Sequence, residues 1–228
     1  DPIIQFKDFQ KTEPHPFTMY CDFESTLAPT NIDPLPDTTF PLNTHEVSGF
    51  CLYTVSSNND FPSDPIIYSG PDAMEVFFDR LLEEQQRIAI ILNKNITMCA
   101  LTREQQIAYD ACKACIKCKE TFTDSNFKCR HHNHANGQYR LPACRRCNLQ
   151  MKSTYRTTDK GERNFFIPII FHNLKNYDSH FIIKSFNNRL VHVGEEKFKN
   201  VTIIASSSEK FIAFNINYMR FIDSCQFL

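Results

Sequence analysis

The chain has 228 residues, a formal net charge of -1 at neutral pH and 42% hydrophobic residues. That length can bury a full core as one domain, or one domain with an insertion, and the balance of apolar and charged residues excludes a disordered chain. No apolar run is long enough to span a bilayer, and the first residues, DPIIQFKDF, do not have the shape of a signal peptide.

Residues 1–16 are rich in proline and read as an extended lead-in. Phe17 to Phe23, FTMYCDF, reads as a short strand that delivers Asp22 and Glu24 two residues apart, so both carboxylates leave one face of the extended chain. Two acids in that position are costly unless a cation neutralises them, which points to a metal-dependent nuclease; an ordinary solvated strand end is the plainer alternative. Residues 27–44 hold four prolines and no periodicity, and read as a loop. His45 to Ser56 is a second strand, with Gly49 as a candidate bulge, and Pro65 to Ser69 is a third. From Asp72 a helix begins, in which Met74, Phe77, Phe78, Leu81 and Leu82 form a core-facing stripe. Thr102 to Gln105, TREQ, is a capping-box start for a further short helix. Three strands followed by a helix is the opening of a ribonuclease H-like sheet, among other folds.

The next stretch, Cys115 to Asn148, organises the chain. Two Cys-x-x-Cys pairs, Cys115/Cys118 and Cys144/Cys147, stand twenty-five residues apart, the spacing of a tetrahedral zinc site built from two knuckles. A structural Zn²⁺ site is the commonest use of such a set. Between the pairs lie His131, His132 and His134, and Asn148 directly follows the last cysteine. A ββα-metal (HNH) nuclease needs a first-strand residue that holds a metal, a neighbouring histidine that deprotonates water, and a ligand from the following helix. His131, His132 and Asn148 fall in those places. Lys113 to Lys152 carries nine Lys/Arg against two acidic residues, so the insert, with Arg140, Arg145 and Arg146, is a basic patch whose expected counter-charge is phosphate. With four of the ten cysteines in zinc spacing and Cys21, Cys51, Cys99 and Cys225 in or beside strand-like runs, the expected compartment is intracellular and reducing.

Thr154 to Arg163 is a charged connector. Asn164 to His172, NFFIPIIFH, is the apolar run of a strand covered on both faces, with Pro168 arguing for a bulge or an edge position. Tyr177 and Asp178 follow, at the start of a helix. Three strands with corners at Ser207 to Lys210 and at Asn217 to Tyr218 complete the chain.

The run HHNHANGQYRLPACRRCN resembles the DHxHxTGxxRGLxCxxCN signature of phage recombination endonuclease VII, and more closely the zinc insert of DNA polymerases of Polinton (Maverick) elements. His131 stands where that family has Asp, and Leu141 where it has Gly. The resemblance implies zinc on Cys115, Cys118, Cys144 and Cys147, a general base at His132, and a second metal held by His131 with Asn148. Outside the insert, CDFES resembles the first exonuclease motif of family-B DNA polymerases, especially the protein-primed branch. FHNLKNYDSH resembles the second motif, and FIDSCQFL resembles a DNA-contacting strand that follows it. This second resemblance implies two catalytic ions, Mg²⁺ or Mn²⁺, on Asp22, Glu24 and Asp178, and a single-stranded 3' end held by Ser25, His172, Asn173, Tyr177 and Ser224. The third exonuclease motif, Tyr-x-x-x-Asp, and the polymerase motifs have no match up to Leu228.

The expectation is an α/β (α+β) chain: a ribonuclease H-like mixed sheet in two halves, 1–110 and 154–228, interrupted by a small ββα zinc module at 111–153. The expected function is the 3'-5' proofreading exonuclease region of a protein-primed DNA polymerase. It would be a segment of a longer chain with a downstream polymerase domain and a terminal protein as partners, nuclear if the element is eukaryotic. The alternatives are an HNH endonuclease, or a non-catalytic DNA-binding derivative of such an element.

Overall fold

The computed structural model describes residues 15–30, 42–57, 61, 63–94, 96–134, 136–151, 156–157, 163–164, 166–193, 201–207 and 210–227. Most of the lead-in, the middle of the proline-rich loop and most of the charged connector lie outside the described residues. The chain divides into two compact units: Phe17–Val55, Pro62–Gln86 and Phe166–Leu228 make one, and Asp1–Pro16, Ser56–Phe61 and Arg87–Phe165 the other.

The first of these holds a seven-stranded mixed sheet. Its strands are β1 (Phe17–Pro29), β2 (Asn43–Ser56), β3 (Ile66–Ser69), β8 (Ile167–Phe171), β9 (Thr202–Ser207), β10 (Lys210–Ile216) and β11 (Met219–Asp223), in the order β3-β2-β1-β8-β11-β10-β9. Helix α1 (Ala73–Asn93) links β3 towards β8, and α4 (Asp178–Val193) follows β8. Such helical crossovers are what parallel neighbours require. β8 accordingly runs parallel to β1, with Met19 opposite Ile169, and parallel to β11, with Asp223 opposite Phe171. β8 and β11 therefore end together, at Phe171 and Asp223, at one edge of the sheet, next to the Cys21–Asp22 stretch of β1, which itself runs on to Pro29. Ligands of open α/β sheets bind at that edge.

Alternation decides what faces inward. Phe17, Met19, Cys21 and Phe23 of β1 are buried, whereas Tyr20, Asp22 and Glu24 are exposed. Phe77 of α1 packs edge-on against Phe23 and Phe50, with ring centroids 4.8 and 5.4 Å apart. Phe171 lies 5.2 Å from Phe23, and Phe214 stacks on Phe221 at 4.5 Å. Each such ring contributes about 1.5–3 kcal/mol through burial, and phenylalanine is the commonest buried residue of this core among the described residues.

Two expectations are corrected. Pro168 is on neither an edge nor a bulge, because β8 lies between β1 and β11 and its pairing with β11 is continuous. Ile167 donates its N–H to Tyr218 on the β11 side. By alternation the N–H that Pro168 lacks would point at β1, whose ladder begins only at Ile169, so no hydrogen bond is lost. Gly49 is not a bulge either, since it pairs in register with Ser69. A Cβ there would come within 2.9 Å of the Tyr68 carbonyl oxygen, and close strand approach is what the glycine permits.

The other unit contains α2 (Arg103–Ala111), β4 (Lys128–His132), β5 (Tyr139–Cys144), α3 (Arg145–Gln150) and the short pair β6 (Arg156–Thr157) and β7 (Arg163–Asn164). Both halves of the capping box form at α2: the Thr102 hydroxyl accepts from the Gln105 N–H, and the Gln105 side chain accepts from the Thr102 N–H. β4 and β5 pair antiparallel and run directly into α3, a ββα unit.

Candidate functional site

The ββα unit is built around sulfur. Cys115, Cys144 and Cys147 are buried with Ala143 and Met151, and Cys118, Phe122 and Leu141 pack against them. That apolar cluster is too small to hold a fold of this size without a further tie. The four Sγ atoms lie within 4.8 Å of one another, and Cys118 Sγ is 3.8 Å from Cys144 Sγ. A tetrahedron with metal–sulfur bonds of about 2.3 Å has edges of about 3.8 Å, so the cage has the dimensions that Zn²⁺ requires. Burial raises the Cys115 thiol, but N–H groups of Cys118, Cys144 and Lys117 outweigh it and bring the thiol down to about 7. Burial also pushes up Cys118 and Cys147, the latter strongly. A cation is what lets such a crowded set exist as thiolates. These four cysteines could hold a metal ion such as zinc.

His131 and His132 end β4, and Asn148 sits on α3. His131 Nδ1 is 3.0 Å from Asn148 Oδ1, so the strand and helix residues singled out by the sequence do meet. The His132 ring stands 4.6 Å from that of His134, and its Nδ1 is 3.3 Å from the Arg130 carbonyl oxygen. Arg140, Arg145 and Arg146 are exposed. Arg146 is already engaged: its guanidinium reaches both Glu120 oxygens at 2.8 Å. Lys128 and Arg130 lie over the Tyr109 ring at 4.3 and 5.1 Å.

The sheet unit gathers acids at the C-terminal edge of its parallel strands. Asp22 and Glu24 project from the exposed face of β1, while Asp178 opens α4 and is 3% exposed. Burial pushes the Asp178 carboxyl up to about 7, with the charge of Asp22 and then that of Asp223 adding to the effect. Asp22 and Asp178 are thus close enough to repel, although 155 residues separate them in sequence. Among the described residues, the cysteines are the only three or more metal-ligating side chains gathered as tightly as a bound ion requires. Asp22, Glu24 and Asp178 do not close on a common point as the cysteines do.

Around the acids stands a hydrogen-bonded set. Tyr177 Oη is 2.5 Å from Ser25 Oγ and 2.7 Å from His45 Nδ1, and its ring meets Phe181 edge-on. His172 Nδ1 is 3.1 Å from Ser224 Oγ. Asn173 adopts the left-handed conformation, φ 63°, and accepts from the Asn176 side chain at 2.8 Å. Asparagine tolerates that conformation better than most residues.

Sequence reasoning missed two residues at this edge. His45 was read only as the start of a strand, and no local signal marks it. Asp223, 1% exposed, was passed over in favour of Ser224. An acid ending an apolar strand, as at Asp22, was the available signal. Beside these lies a cleft of about 460 Å³ lined by His45, Val47, Met74, Phe181 and Lys184 among others.

No protein-family model matches the chain, and no curated protein or solved structure matches it. What stands is a mixed α/β protein with a seven-stranded sheet and a cluster of four cysteines fit to hold a metal ion. No described helix is long and apolar enough to cross a membrane.

Proposed function

We propose that the chain is the 3'-5' exonuclease region of a protein-primed, Polinton-type family-B DNA polymerase, acting on single-stranded DNA ends. The observation that carries this reading is the approach of Asp178 to Asp22 across the parallel pair β1 and β8, beside the hydrogen bond between the Tyr177 and Ser25 hydroxyls. The order β3-β2-β1-β8-β11, with α1 between β3 and β8 and α4 between β8 and β9, supports reading the sheet as ribonuclease H-like with the hairpin of β9 and β10 added. Hard carboxylate oxygens at one edge suit Mg²⁺ or Mn²⁺, and Asp178, raised to about 7 and so only partly ionised near neutral pH, would give up its remaining proton on binding such a cation.

Asp22, Glu24 and Asp178 would hold the catalytic ions, which supply an activated water and neutralise the leaving 3' oxygen. Tyr177, fixed by Ser25 and His45, presents its ring to the terminal bases. His172, Asn173 and Ser224 hold the strand along the same edge. Zn²⁺ on the four cysteines ties the ββα module, whose Arg140 and Arg145 contact DNA phosphates. A polymerase domain and a terminal protein are the partners this reading implies.

The test is digestion of a 3'-labelled single strand with Mn²⁺ or Mg²⁺. Asp22→Ala should lower the rate by about 100-fold or more while His132→Ala leaves it intact. The contact of His131 with Asn148 in a ββα unit favours a second reading, an endonuclease centred on His132. That reading predicts the reverse pattern on branched or duplex DNA. Salt-sensitive DNA binding without any cleavage would leave a non-catalytic binding protein.

A further inference from the structure

We propose that Asp223 is a positioning residue: it fastens the turn from His172 to Asp178 to the end of β11, which sets Tyr177 and Asp178 against Ser25 and Asp22. Its effect on cleavage rests on the exonuclease reading above; its hold on the turn does not.

The register places Asp223 opposite Phe171, the last residue of β8, at the point where the turn leaves the sheet. The carboxylate is buried, and each oxygen is used. Oδ2 accepts the Lys175 N–H at 2.9 Å, and Oδ1 accepts the Cys225 N–H at 3.0 Å. That occupation makes it an anchor, where Asp22 and Glu24 keep their oxygens towards solvent. The turn needs an anchor, since it passes through the left-handed Asn173 and a single 3-10 turn, Leu174–Asn176, before α4 begins. Leu174 is buried beneath it, and the next residue of β11's end, Ser224, meets His172 at 3.1 Å. The turn is thus held from one strand end at two places, and its last two residues, Tyr177 and Asp178, are those that meet Ser25 and Asp22 of β1. Carboxylates that orient a metal-bearing turn through backbone amides act as outer supports of the site.

The experiment uses the full chain and Asp223→Asn, which keeps the shape but exchanges one acceptor oxygen for an NH₂ group. Amide exchange at Lys175 should accelerate about tenfold or more, as expected when a local opening loses its closing bond. The Mn²⁺ concentration for half-maximal cleavage of a 3'-labelled oligothymidylate should rise about tenfold, the usual effect of losing an outer support, with KM changed less than about threefold. Leu52→Val, which loosens the same sheet at the β2–β3 pair, should leave the Mn²⁺ midpoint where it was. A folded Asp223→Asn with wild-type exchange at Lys175 or a wild-type Mn²⁺ midpoint overturns the proposal. Wild-type protein that cleaves nothing refutes the exonuclease reading, and the exchange at Lys175 then judges the anchor separately. Should Asp223→Asn not fold, Asp223→Ser, with one acceptor left, replaces it. Should neither fold, native-state exchange of the wild type decides, and a Lys175 amide no better protected than an exposed one overturns the anchor.

Discussion

Asp178→Asn should stabilise the protein, and more so as the pH rises. The carboxyl has a pKa of about 7 in the fold against 3.8 for a free aspartate, chiefly through burial and then the charges of Asp22 and Asp223. Because the folded value is the higher one, the native state favours the protonated form. Below pH 4 the group is neutral folded or unfolded, and folding is not penalised. Between about pH 4 and 7 the unfolded chain gains stability by ionising while the fold resists, so native stability falls; above 7 the penalty is complete. The full displacement corresponds to about 4 kcal/mol. Screening beside the solvent-exposed Asp22 reduces this to about 2 kcal/mol. In a chain of this length that is a difference in Tm of about 4–8 °C between variant and wild type. The assay is thermal unfolding from pH 5 to 8 without added Mg²⁺ or Mn²⁺ and without chelator, so that any metal on the four cysteines stays in place. A gap that widens towards pH 8, and that saturating Mn²⁺ narrows or reverses by stabilising wild type alone, is the expected result. An equal gap at every pH would show that the fold does not raise the Asp178 carboxyl, by burial or by its neighbours' charge.

Wild type should bind zinc at about one equivalent per chain by metal analysis, and Cys147→Ser should lose both that zinc and the unfolding transition of the ββα unit, because the apolar cluster there is too small to stand alone. Gly137→Ala should destabilise that unit by more than about 1 kcal/mol in chemical denaturation, because its φ of +74° disfavours a side chain and the new Cβ would lie 2.4 Å from the Thr97 carbonyl oxygen. Tyr177→Phe keeps the ring but deletes the hydroxyl that joins Ser25 and His45, and should raise KM for single-stranded DNA several-fold, about threefold to tenfold, with a smaller effect on kcat. Equal kinetics for Tyr177→Phe and wild type would remove that hydroxyl from the site.

The features legible in the sequence were those with a local physical cause. Alternation along FTMYCDFE places Asp22 and Glu24 on one face whatever the strand pairs with. The exchange of hydrogen bonds between Thr102 and Gln105 needs only four residues. The knuckle spacing of Cys115, Cys118, Cys144 and Cys147 confines their sulfurs once the hairpin of β4 and β5 closes. Proline and glycine were misjudged for the opposite reason. Whether Pro168 forfeits a bond depends on where the β1 ladder begins, and whether Gly49 bulges depends on how closely β3 approaches.

The sequence by itself determined the inventory of this protein: strands, capped helix, sulfur set and paired acids, each specified by neighbours in the chain. Only the tertiary structure decided their company. It set Asp178 near Asp22, gave Tyr177 both Ser25 and His45, and turned Asp223 from a strand-end acid into the acceptor for two backbone amides. The reason is that strand order and register join segments far apart along the chain, and no local pattern encodes which strand's end will lie beside which.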